Sequence, residues 1–468
     1  MTIEEAARAL RARECTVREL WDSCISAIKE KDSELHAYLE MFPADDSAIA
    51  AAQKRIDTEG ENAPLMCGIP RAMKDNILIE GKIASAASKM LENYRATYNA
   101  TVVKKLKEAG ALFLGRTNMD EFAMGSSTEH SAFGVTRNPH DTTRVPGGSS
   151  GGSAVAVAAH LAIAALGSDT GGSIRQPATL TGIVGLKPTY GAVSRSGLIA
   201  MGSSLDQIGP LTKSVADAHI LYDAIRGEDP LDSTSIPDGL YGAHESPKHL
   251  RIGVPRHLLR EGVDADVLAA FDAVLAKLKV SGHTLVNIEL PTSAHALAAY
   301  YVIMPAEVST NLARLDGIRY GHSSRGETLL DDYINSRTEG FGEETRRRIL
   351  LGTFVLSSGY IDSYYRKADA AREVLRREYA DAFMKVDVIA FPTTPSPAFR
   401  FGEKSDPLSM YLEDIFTVTA NLTGMPAISI PMGTVKREEK ELPVGIHFTA
   451  PHQAENVLFV AGSAVEKA

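Results

Sequence analysis

The sequence predicts an α/β protein built on one large mixed, mostly parallel β-sheet with helices covering both faces. The main observation is that short β-rich runs alternate along the chain with longer segments of helical composition. Strands separated by helices tend to pair in parallel, and the intervening helices pack on the sheet. The 468 residues are 44% hydrophobic and 23% charged, which is ordinary for a protein with a large core.

The chain changes in texture from one region to the next. Residues 1–60 are rich in alanine and charge, and they carry two helix-start signals of the capping-box type, at Thr2 with Glu5 and at Thr16 with Glu19. Residues 64–210 are dense in glycine and serine, and residues 227–249 form a polar stretch typical of a surface excursion. Because no break marks a domain boundary, we expect residues 1–468 to form a single domain.

The individual elements follow from local pattern and composition. Strands are predicted at residues 111–115, 161–167, 251–255, 284–290, 386–392 and 427–431. Helices are predicted at residues 101–109, 153–160, 265–280 and 345–385.

Charge, cysteine content and hydropathy exclude several functional classes. The net charge of −10 argues against a DNA-binding surface, although contact with RNA through a partner stays open. Cys15, Cys24 and Cys67 are too few and too scattered for a disulfide framework or a zinc site, so we interpret them as reduced thiols. The chain starts without signal-peptide character, and its longest apolar run, residues 154–166, is too short to cross a bilayer. We therefore expect a cytoplasmic protein without membrane contact.

Two glycine–serine segments, residues 146–153 and 167–175, are the first candidates for chemistry. Glycine-dense turns allow backbone N–H groups to face a ligand, and N–H groups beside a serine hydroxyl are what an oxyanion hole requires. A single segment of this kind is usually a flexible loop. Two of them, flanking a predicted helix and strand, indicate a site.

Two other interpretations of these segments are weaker. Gly147-x-Ser149-x-Gly151 fits the nucleophile-elbow pattern, but no strand is predicted before Ser149 and no histidine lies in a triad motif. The segments also lack the Gly-Lys-Ser/Thr ending of a phosphate-binding loop and the Gly-x-Gly-x-x-Gly spacing of a dinucleotide site. A Ser-His-Asp hydrolase and a nucleotide-binding module are therefore both disfavoured, and so is a purely structural scaffold.

A candidate base is present in a third segment. Lys74 follows Met73 and precedes Asp75, Asn76 and Ile77. A lysine on the surface would be a solvated charge, whereas a buried lysine loses its proton more easily and can act as a general base. Periodicity does not show which way Lys74 points, so both alternatives remain open at this stage.

Together the segments resemble the amidase signature family. The matching motifs are Gly-Ile-Pro-x-x-x-Lys74-Asp-Asn, Gly-Gly-Ser149-Ser-Gly-Gly-Ser, Asp-Thr-Gly-Gly-Ser173-Ile-Arg and Gly185-Leu-Lys-Pro-Thr-Tyr-Gly. The resemblance implies the amidase signature fold and a Ser–cis-Ser–Lys triad. Ser173 would attack the amide, Ser149 would follow a cis peptide bond and relay the proton, and Lys74 would accept it. The backbone amides of Thr170, Gly171, Gly172 and Ser173 would form the oxyanion hole.

Longer matches narrow the resemblance to the A subunits of tRNA-dependent amidotransferases. They begin at Thr117, Asn311 and Leu351 and run well beyond the signature, so that the resemblance covers nearly the whole chain. Such subunits are glutaminases within a carbon–nitrogen ligase that serves protein biosynthesis. The resemblance implies a heterotrimer in which a B subunit binds the charged Glu-tRNA(Gln) or Asp-tRNA(Asn) and uses ATP and magnesium, while a small C subunit wraps the pair. No cofactor or metal is expected in this chain itself.

Glutamine presents a carboxylate and an ammonium as well as its amide, so its pocket needs one fixed cation and one fixed anion. The resemblance implies Arg348 or neighbouring Arg347 for the carboxylate, Asp414 for the ammonium, and Tyr300 or Tyr301 lining the pocket. The alternative is a stand-alone amidase of the same family that acts on another small amide.

Overall fold

The computed structural model describes residues 1–242 and 244–468 and contains eleven strands in one sheet. The strands are β1 (Tyr38–Met41), β2 (Pro70–Lys74), β3 (Leu112–Thr117), β4 (Ala164–Asp169), β5 (Val184–Lys187), β6 (Gln207–Thr212), β7 (Arg251–Val254), β8 (Thr284–Asn287), β9 (Val388–Pro392), β10 (Ala427–Arg437) and β11 (Lys440–Thr449). Their order across the sheet is β1-β3-β2-β4-β6-β5-β10-β11-β9-β7-β8.

The α-helices lie between these strands and before and after them. They are α1 (Ile3–Arg11), α2 (Val17–Leu35), α3 (Asp46–Glu59), α4 (Thr101–Glu108), α5 (Gly151–Ala158), α6 (Arg175–Thr181), α7 (Val215–Ile225), α8 (Ala265–Val280), α9 (Ala296–Leu312), α10 (Leu329–Gly340), α11 (Glu343–Leu356), α12 (Tyr365–Phe383), α13 (Pro407–Tyr411), α14 (Val418–Thr423) and α15 (Glu455–Glu466). In the described residues, no helix is both long and apolar enough to span a membrane.

The α/β class and the mixed sheet are confirmed, but the expectation of mostly parallel pairing is wrong. Four pairings are parallel, β2 with β3 and β4, and β7 with β8 and β9. The other six are antiparallel. The reason is that β10 and β11 form a long hairpin in the middle of the sheet, with Arg437 opposite Lys440, and their neighbours β5 and β9 also run antiparallel to them.

Helices cover both faces of the sheet, as adjacent residues of β10 show. Ser429 and Ile430 point to opposite faces because side chains alternate along a strand. The Ser429 hydroxyl lies 2.5 Å from the Thr179 hydroxyl of α6, whereas Ile430 packs beside Gly462 of α15. The central hairpin is therefore buried between α6 and α15.

Most local predictions are confirmed. Both capping boxes are present, at Thr2 for α1 and at Thr16 for α2. Helix α8 has the predicted bounds, and the predicted helices at 101–109 and 153–160 correspond to α4 and α5. Residues 227–242 and 244–249 contain no strand. Ala243 lies outside the described residues.

The single helix predicted at residues 345–385 is wrong, because the structure has two helices there. Helix α11 ends at Leu356 and α12 begins at Tyr365. Between them, Ser357 is extended and Gly359 has a φ of +87°, a conformation that an α-helix cannot include. The conformations of Ser357 and Gly359 therefore end α11 and separate it from α12.

One buried side chain in the sheet conflicts with its surroundings. Arg71 on β2 is fully buried, and none of its guanidinium nitrogens has a hydrogen-bond partner in the described part of the chain. Burial lowers the pKa of this guanidinium to about 9. An unpaired buried charge costs free energy that an apolar side chain of similar size would not.

We therefore expect Arg71→Met to stabilise the protein by about 1–4 kcal/mol. The matched control is Arg116→Met on neighbouring β3, because Arg116 donates to Asp75 and Glu40, each at 2.9 Å. Urea midpoints should rise for the first variant and fall for the second. A lower midpoint for Arg71→Met would show that the guanidinium stabilises the fold.

Candidate active site

The candidate site lies at the carboxyl ends of two adjacent parallel strands. Lys74 is the last residue of β2, and Ser168 and Asp169 are the last residues of β4. Both strands are buried along their whole length, so the polar residues at their ends are also buried. In α/β sheets the carboxyl edge is where ligands bind, because the loops that follow the strands meet there.

Lys74 is buried with no exposed surface, which resolves the alternatives that the sequence left open. Its Nζ lies 2.8 Å from Ser149 Oγ, 2.8 Å from Ser150 Oγ and 3.0 Å from Ser168 Oγ, and 3.2 Å from the Ser168 carbonyl oxygen. Desolvation lowers the pKa of Lys74 to about 7, against the opposing effect of Asp120, Asp169 and Asp206. A substantial fraction of this amine is therefore unprotonated at neutral pH.

Of the three hydroxyls around Lys74, that of Ser149 is the one available for proton transfer. The Ser150 hydroxyl donates to the Ser168 carbonyl oxygen at 3.2 Å, and Ser168 Oγ accepts from Asn76 Nδ2 at 2.9 Å. Ser149 Oγ has no hydrogen-bond partner other than Lys74 among the described residues. A neutral amine can thus donate to Ser168 and keep its lone pair for the proton of Ser149.

The Gly148–Ser149 peptide bond is cis, as the resemblance implies. The Ser149 carbonyl oxygen accepts from the Asp120 amide at 3.3 Å. The carboxylate of Asp120 in turn accepts from the amides of Thr128 and His130, at 2.9 Å and 3.2 Å. The segment 117–130 therefore supports the backbone that presents Ser149.

Ser173 lies next to Ser149 and Lys74, where a backbone hydrogen bond with Ser150 holds it. Its carbonyl oxygen accepts from the Ser150 amide at 3.1 Å, and its side chain is near the surface of the site with 7% of the residue exposed. No hydrogen bond joins the Ser173 and Ser149 hydroxyls within residues 1–242 and 244–468. In unliganded enzymes such catalytic hydrogen bonds are often long and shorten when substrate binds. The role of Ser173 as nucleophile stays a prediction.

The predicted oxyanion-hole donors do not all have free N–H groups. The Gly172 amide donates to Asp169 Oδ1 at 2.9 Å, so it cannot also point at a substrate oxygen. The prediction that Gly172 is an oxyanion-hole donor is therefore corrected. Within the described residues the amides of Thr170, Gly171 and Ser173 have no protein acceptor, and these three remain the predicted donors.

A buried guanidinium and a buried carboxyl group lie in a second cluster beside the loop of residues 170–173. Asp414 accepts hydrogen bonds from Ser126 Oγ at 2.9 Å and from the Tyr301 hydroxyl at 3.1 Å, and burial raises its pKa to about 7. Arg348 lies over the rings of Tyr301 and Tyr411, 5.6 Å and 5.3 Å from their centroids, and its Nε donates to Glu344 at 2.7 Å. The structure thus brings the predicted cation and anion together.

The structure also distinguishes Arg348 from Arg347 and Tyr300 from Tyr301, the alternatives for the two predicted pocket positions. Arg348 is buried, whereas Arg347 is partly exposed and pairs with Glu343 and Glu344. Both tyrosines belong to the cluster, with different contacts. Tyr301 donates to Asp414, and Tyr300 contacts the loop of residues 170–173 so closely that a Cβ at Gly171 would lie 2.5 Å from its hydroxyl. Their binding roles stay predictions.

Sequence reasoning missed the residues that support the site. They are Asn76, Ser150 and Ser168 around Lys74, Ser126 beside Asp414, and Asp169, Arg175, Thr417 and Asn421 behind the loop. Several of these residues lie inside the quoted motifs, which was the available signal. Thr417 and Asn421 carry no local signal, because only the fold brings them to the loop.

The chain is similar to known amidases along most of its length. A family model described as Amidase matches residues 19–459. The A subunit of the glutamyl-tRNA(Gln) amidotransferase of Koribacter versatilis is 48% identical over 476 residues, covering 100% of the chain and 98% of that relative. The protein of the same name from Gloeobacter violaceus is 50% identical over 443 residues, covering 93% and 90%.

Solved structures with the same fold include two with different activities. A crystal structure of the A subunit of the glutamyl-tRNA(Gln) amidotransferase of Thermotoga maritima has a TM-score of 0.79 and 41% identity, and the match covers 97% of the chain and 95% of that structure. The peptide amidase of Stenotrophomonas maltophilia has a TM-score of 0.80 and 28% identity, covering 100% and 96%.

Proposed function

The chain belongs to the amidase family, and from this premise we propose that it is the glutamine-hydrolysing subunit of a glutamyl-tRNA(Gln) amidotransferase. The curated relatives that support this proposal match over nearly their full length. Amide hydrolysis is the chemistry for which the Lys74 arrangement is suited, because a buried neutral amine beside a serine hydroxyl can accept a proton from a nucleophile.

The proposed reaction starts with proton transfer from Ser173. Its hydroxyl attacks the side-chain amide carbon while its proton passes to Ser149 Oγ, and the Ser149 proton passes to Lys74 Nζ. The carbonyl oxygen becomes an oxyanion and accepts hydrogen bonds from the amides of Thr170, Gly171 and Ser173. Lys74 and Ser149 then return a proton to the amide nitrogen, the carbon–nitrogen bond breaks, and ammonia leaves an acyl-enzyme on Ser173.

The second half of the reaction repeats the proton path with water. Water attacks the acyl carbon and gives its proton through Ser149 to Lys74. The ester bond to Ser173 breaks, the Ser173 oxygen regains a proton by the same path, and glutamate is released. Lys74 therefore alternates between neutral and charged forms, which requires a pKa close to the working pH.

The observation that carries glutamine as substrate is a buried cluster that contains both a guanidinium and a carboxyl group. Arg348 and Asp414 lie in the same cluster with Tyr300 and Tyr301, and Tyr300 contacts the loop of residues 170–173 at Gly171. An α-carboxylate fits Arg348 and an α-ammonium fits Asp414. An amino acid held at both groups would direct its side-chain amide toward Ser173.

We expect Asp414→Asn to raise the KM for glutamine at least about tenfold, because the amide cannot compensate a buried ammonium. The matched control is Glu413→Gln, since Glu413 is equally buried but bonds to Ser396 and pairs with Lys404. Steady-state glutaminase kinetics should show an unchanged KM for the control. An unchanged KM for Asp414→Asn would remove Asp414 from the substrate site.

Assembly with partner subunits is part of the proposal. The chain would work in the cytoplasm in a heterotrimer, with a B subunit that binds charged tRNA and uses ATP and magnesium, and with a small C subunit. In the described residues, ten of the twenty exposed large hydrophobic side chains lie between Ile318 and Tyr364, including Leu350, Leu351 and Phe354 on α11. Of these, Phe354, Tyr360 and Tyr364 lie together, with the ring centroids of the two tyrosines 4.3 Å and 6.0 Å from that of Phe354. Exposed apolar side chains that cluster in this way support a face that is covered in a complex.

The proposal is tested by glutamine-dependent conversion of Glu-tRNA(Gln) to Gln-tRNA(Gln) by the chain co-purified with its partners. We expect glutamine hydrolysis that increases when charged tRNA and ATP are present. The second candidate is a stand-alone amidase, which the likeness to the peptide amidase supports. Efficient hydrolysis of peptide or aryl amides by the isolated chain, without turnover of glutamine in the complex, would favour that candidate.

A further inference from the structure

The peptide between Gly171 and Gly172 is held at both of its polar ends. Its carbonyl oxygen, on Gly171, accepts a hydrogen bond from Thr417 Oγ1 at 2.5 Å. Its N–H, on Gly172, donates to Asp169 Oδ1 at 2.9 Å. Because a peptide unit is planar, these two bonds fix its orientation. The amides on either side of it, those of Gly171 and Ser173, are two of the three free donors of the loop.

Thr417 also packs directly on this peptide. A Cβ at Gly172 would lie 2.4 Å from Thr417 Oγ1 and 2.8 Å from Thr417 Cβ, so glycine is required there by space. Gly172 also has a φ of +140°, a conformation that other residues rarely adopt. Thr417 is itself fully buried, so its hydroxyl is not in contact with bulk solvent. The contact is therefore close and specific.

Thr417 and Asp169 thus clamp the Gly171–Gly172 peptide, and both accept hydrogen bonds from the buried guanidinium of Arg175. Arg175 donates from Nη1 to the Thr417 carbonyl oxygen at 2.9 Å, and from Nε and Nη2 to the Asp169 carboxylate at 3.0 Å and 2.9 Å. Asn421 on α14 donates to Asp169 at 2.9 Å. Arg175 thus links Thr417 to Asp169 directly, without using the Gly171–Gly172 peptide that these two residues hold.

The same short segment reaches the second cluster. The Thr417 amide donates to the Asp414 carbonyl oxygen at 3.0 Å, three residues earlier in the chain. This bond comes from the backbone and survives a change of the Thr417 side chain. Thr417 Oγ1 also lies 3.0 Å from the Asp414 carbonyl oxygen, but its single proton is directed at the closer Gly171 carbonyl oxygen, at 2.5 Å. Removing the hydroxyl therefore leaves Asp414 with its backbone hydrogen bond from the Thr417 amide.

We propose that Thr417 is a positioning residue whose hydroxyl, acting through the Gly171–Gly172 peptide, sets the direction of the oxyanion-hole amides. Thr417 does not contact the substrate in this arrangement. The inference rests on the proposed amide hydrolysis at Ser173. Loss of the hydroxyl loosens the donors that stabilise the transition state and leaves the groups that bind the ground state in place.

The experiment compares Thr417→Val and Thr417→Ser in the assembled complex with glutamine as substrate. Valine removes the hydroxyl and keeps the shape, and we expect kcat to fall about tenfold or more while KM stays within about twofold. Serine keeps the hydroxyl and should restore kcat to within about threefold of the wild type. Should the valine variant fail to fold, Thr417→Ala replaces it.

Thr423→Val is the matched control. Thr423 lies on α14, is also buried, and donates its hydroxyl to the Thr419 carbonyl oxygen in its own helix at 2.7 Å. Its loss should leave kcat and KM unchanged. A fall in kcat equal to that of Thr417→Val would mean that any buried hydroxyl of this segment has the same effect, and would overturn the inference.

Two further outcomes are decisive. Full kcat in Thr417→Val, or equal impairment in Thr417→Val and Thr417→Ser, would also overturn the inference, because the hydroxyl would then not set the loop. A wild-type complex that is inactive on glutamine but active on another amide would contradict only the proposed substrate. The same variants compared on that amide would still decide the role of Thr417.

Discussion

Replacing Ser173 with alanine is expected to abolish glutamine hydrolysis and leave the ammonia-dependent reaction of the assembled complex intact. Without the Ser173 hydroxyl no acyl-enzyme forms, so turnover should fall by at least about a thousandfold. Externally supplied ammonia does not need the nucleophile, and amidation of charged tRNA from ammonium salts should proceed at the wild-type rate. The measurement is glutamate release and tRNA amidation on the same preparation.

The control for this variant is Ser153→Ala. Ser153 lies in the same glycine–serine segment as Ser149 and is equally buried, but its hydroxyl bonds to the Leu166 carbonyl oxygen and to Thr117. We expect its loss to change glutaminase activity by only a few-fold at most. Glutamate release by Ser173→Ala at a rate near that of the wild type would show that another group is the nucleophile.

Replacing Lys74 with arginine should have an effect of similar size. A guanidinium cannot lose its proton in a protein, so it keeps a positive charge near Ser149 but cannot act as a base. Removing a general base that activates the nucleophile lowers turnover by roughly a hundredfold to ten-thousandfold. The variant should remain almost inactive on glutamine at every pH between about 6 and 9.

The Lys74 variant has an internal control, because ammonia-dependent amidation reports on folding and assembly in the same sample. A loss of both activities would indicate misfolding, and Lys74→Met, which introduces no charge into the buried site, then serves as the second variant. Glutaminase activity in Lys74→Arg at neutral pH within about tenfold of the wild type would contradict the proton path through Ser149.

Local sequence signals predicted those parts of the fold that depend on local interactions. The capping boxes at Thr2 and Thr16 and the bounds of α8 are of this kind. Strand direction depends on which strands become neighbours, and the β10–β11 hairpin in the centre of the sheet could not be read from its charged turn. Strand β11 was missed because its first residues, Lys440 and Glu441, are charged and exposed and do not have the composition of a buried strand.

In the site, too, local motifs were predicted and contacts between distant residues were not. The motifs around Lys74, Ser149 and Ser173 identified side chains that the fold brings close together. Burial of Lys74 could not be predicted, since it depends on β2 lying between β3 and β4. The loss of Gly172 as an oxyanion donor depends on the orientation of one peptide, and the clamp by Thr417 depends on a contact between residues 246 positions apart.

The central claim is that a buried, neutral Lys74 accepts the proton of the nucleophile through Ser149. The pH dependence of kcat at saturating glutamine tests it most directly. In that complex the α-ammonium of the bound glutamine keeps Asp414 ionised, so the titration of Asp414 does not contribute to the pH profile. Because the pKa of Lys74 is about 7 and only the neutral amine is active, kcat should fall about tenfold per pH unit below that value and level off above it. A kcat that stays constant down to about pH 5 would contradict the account.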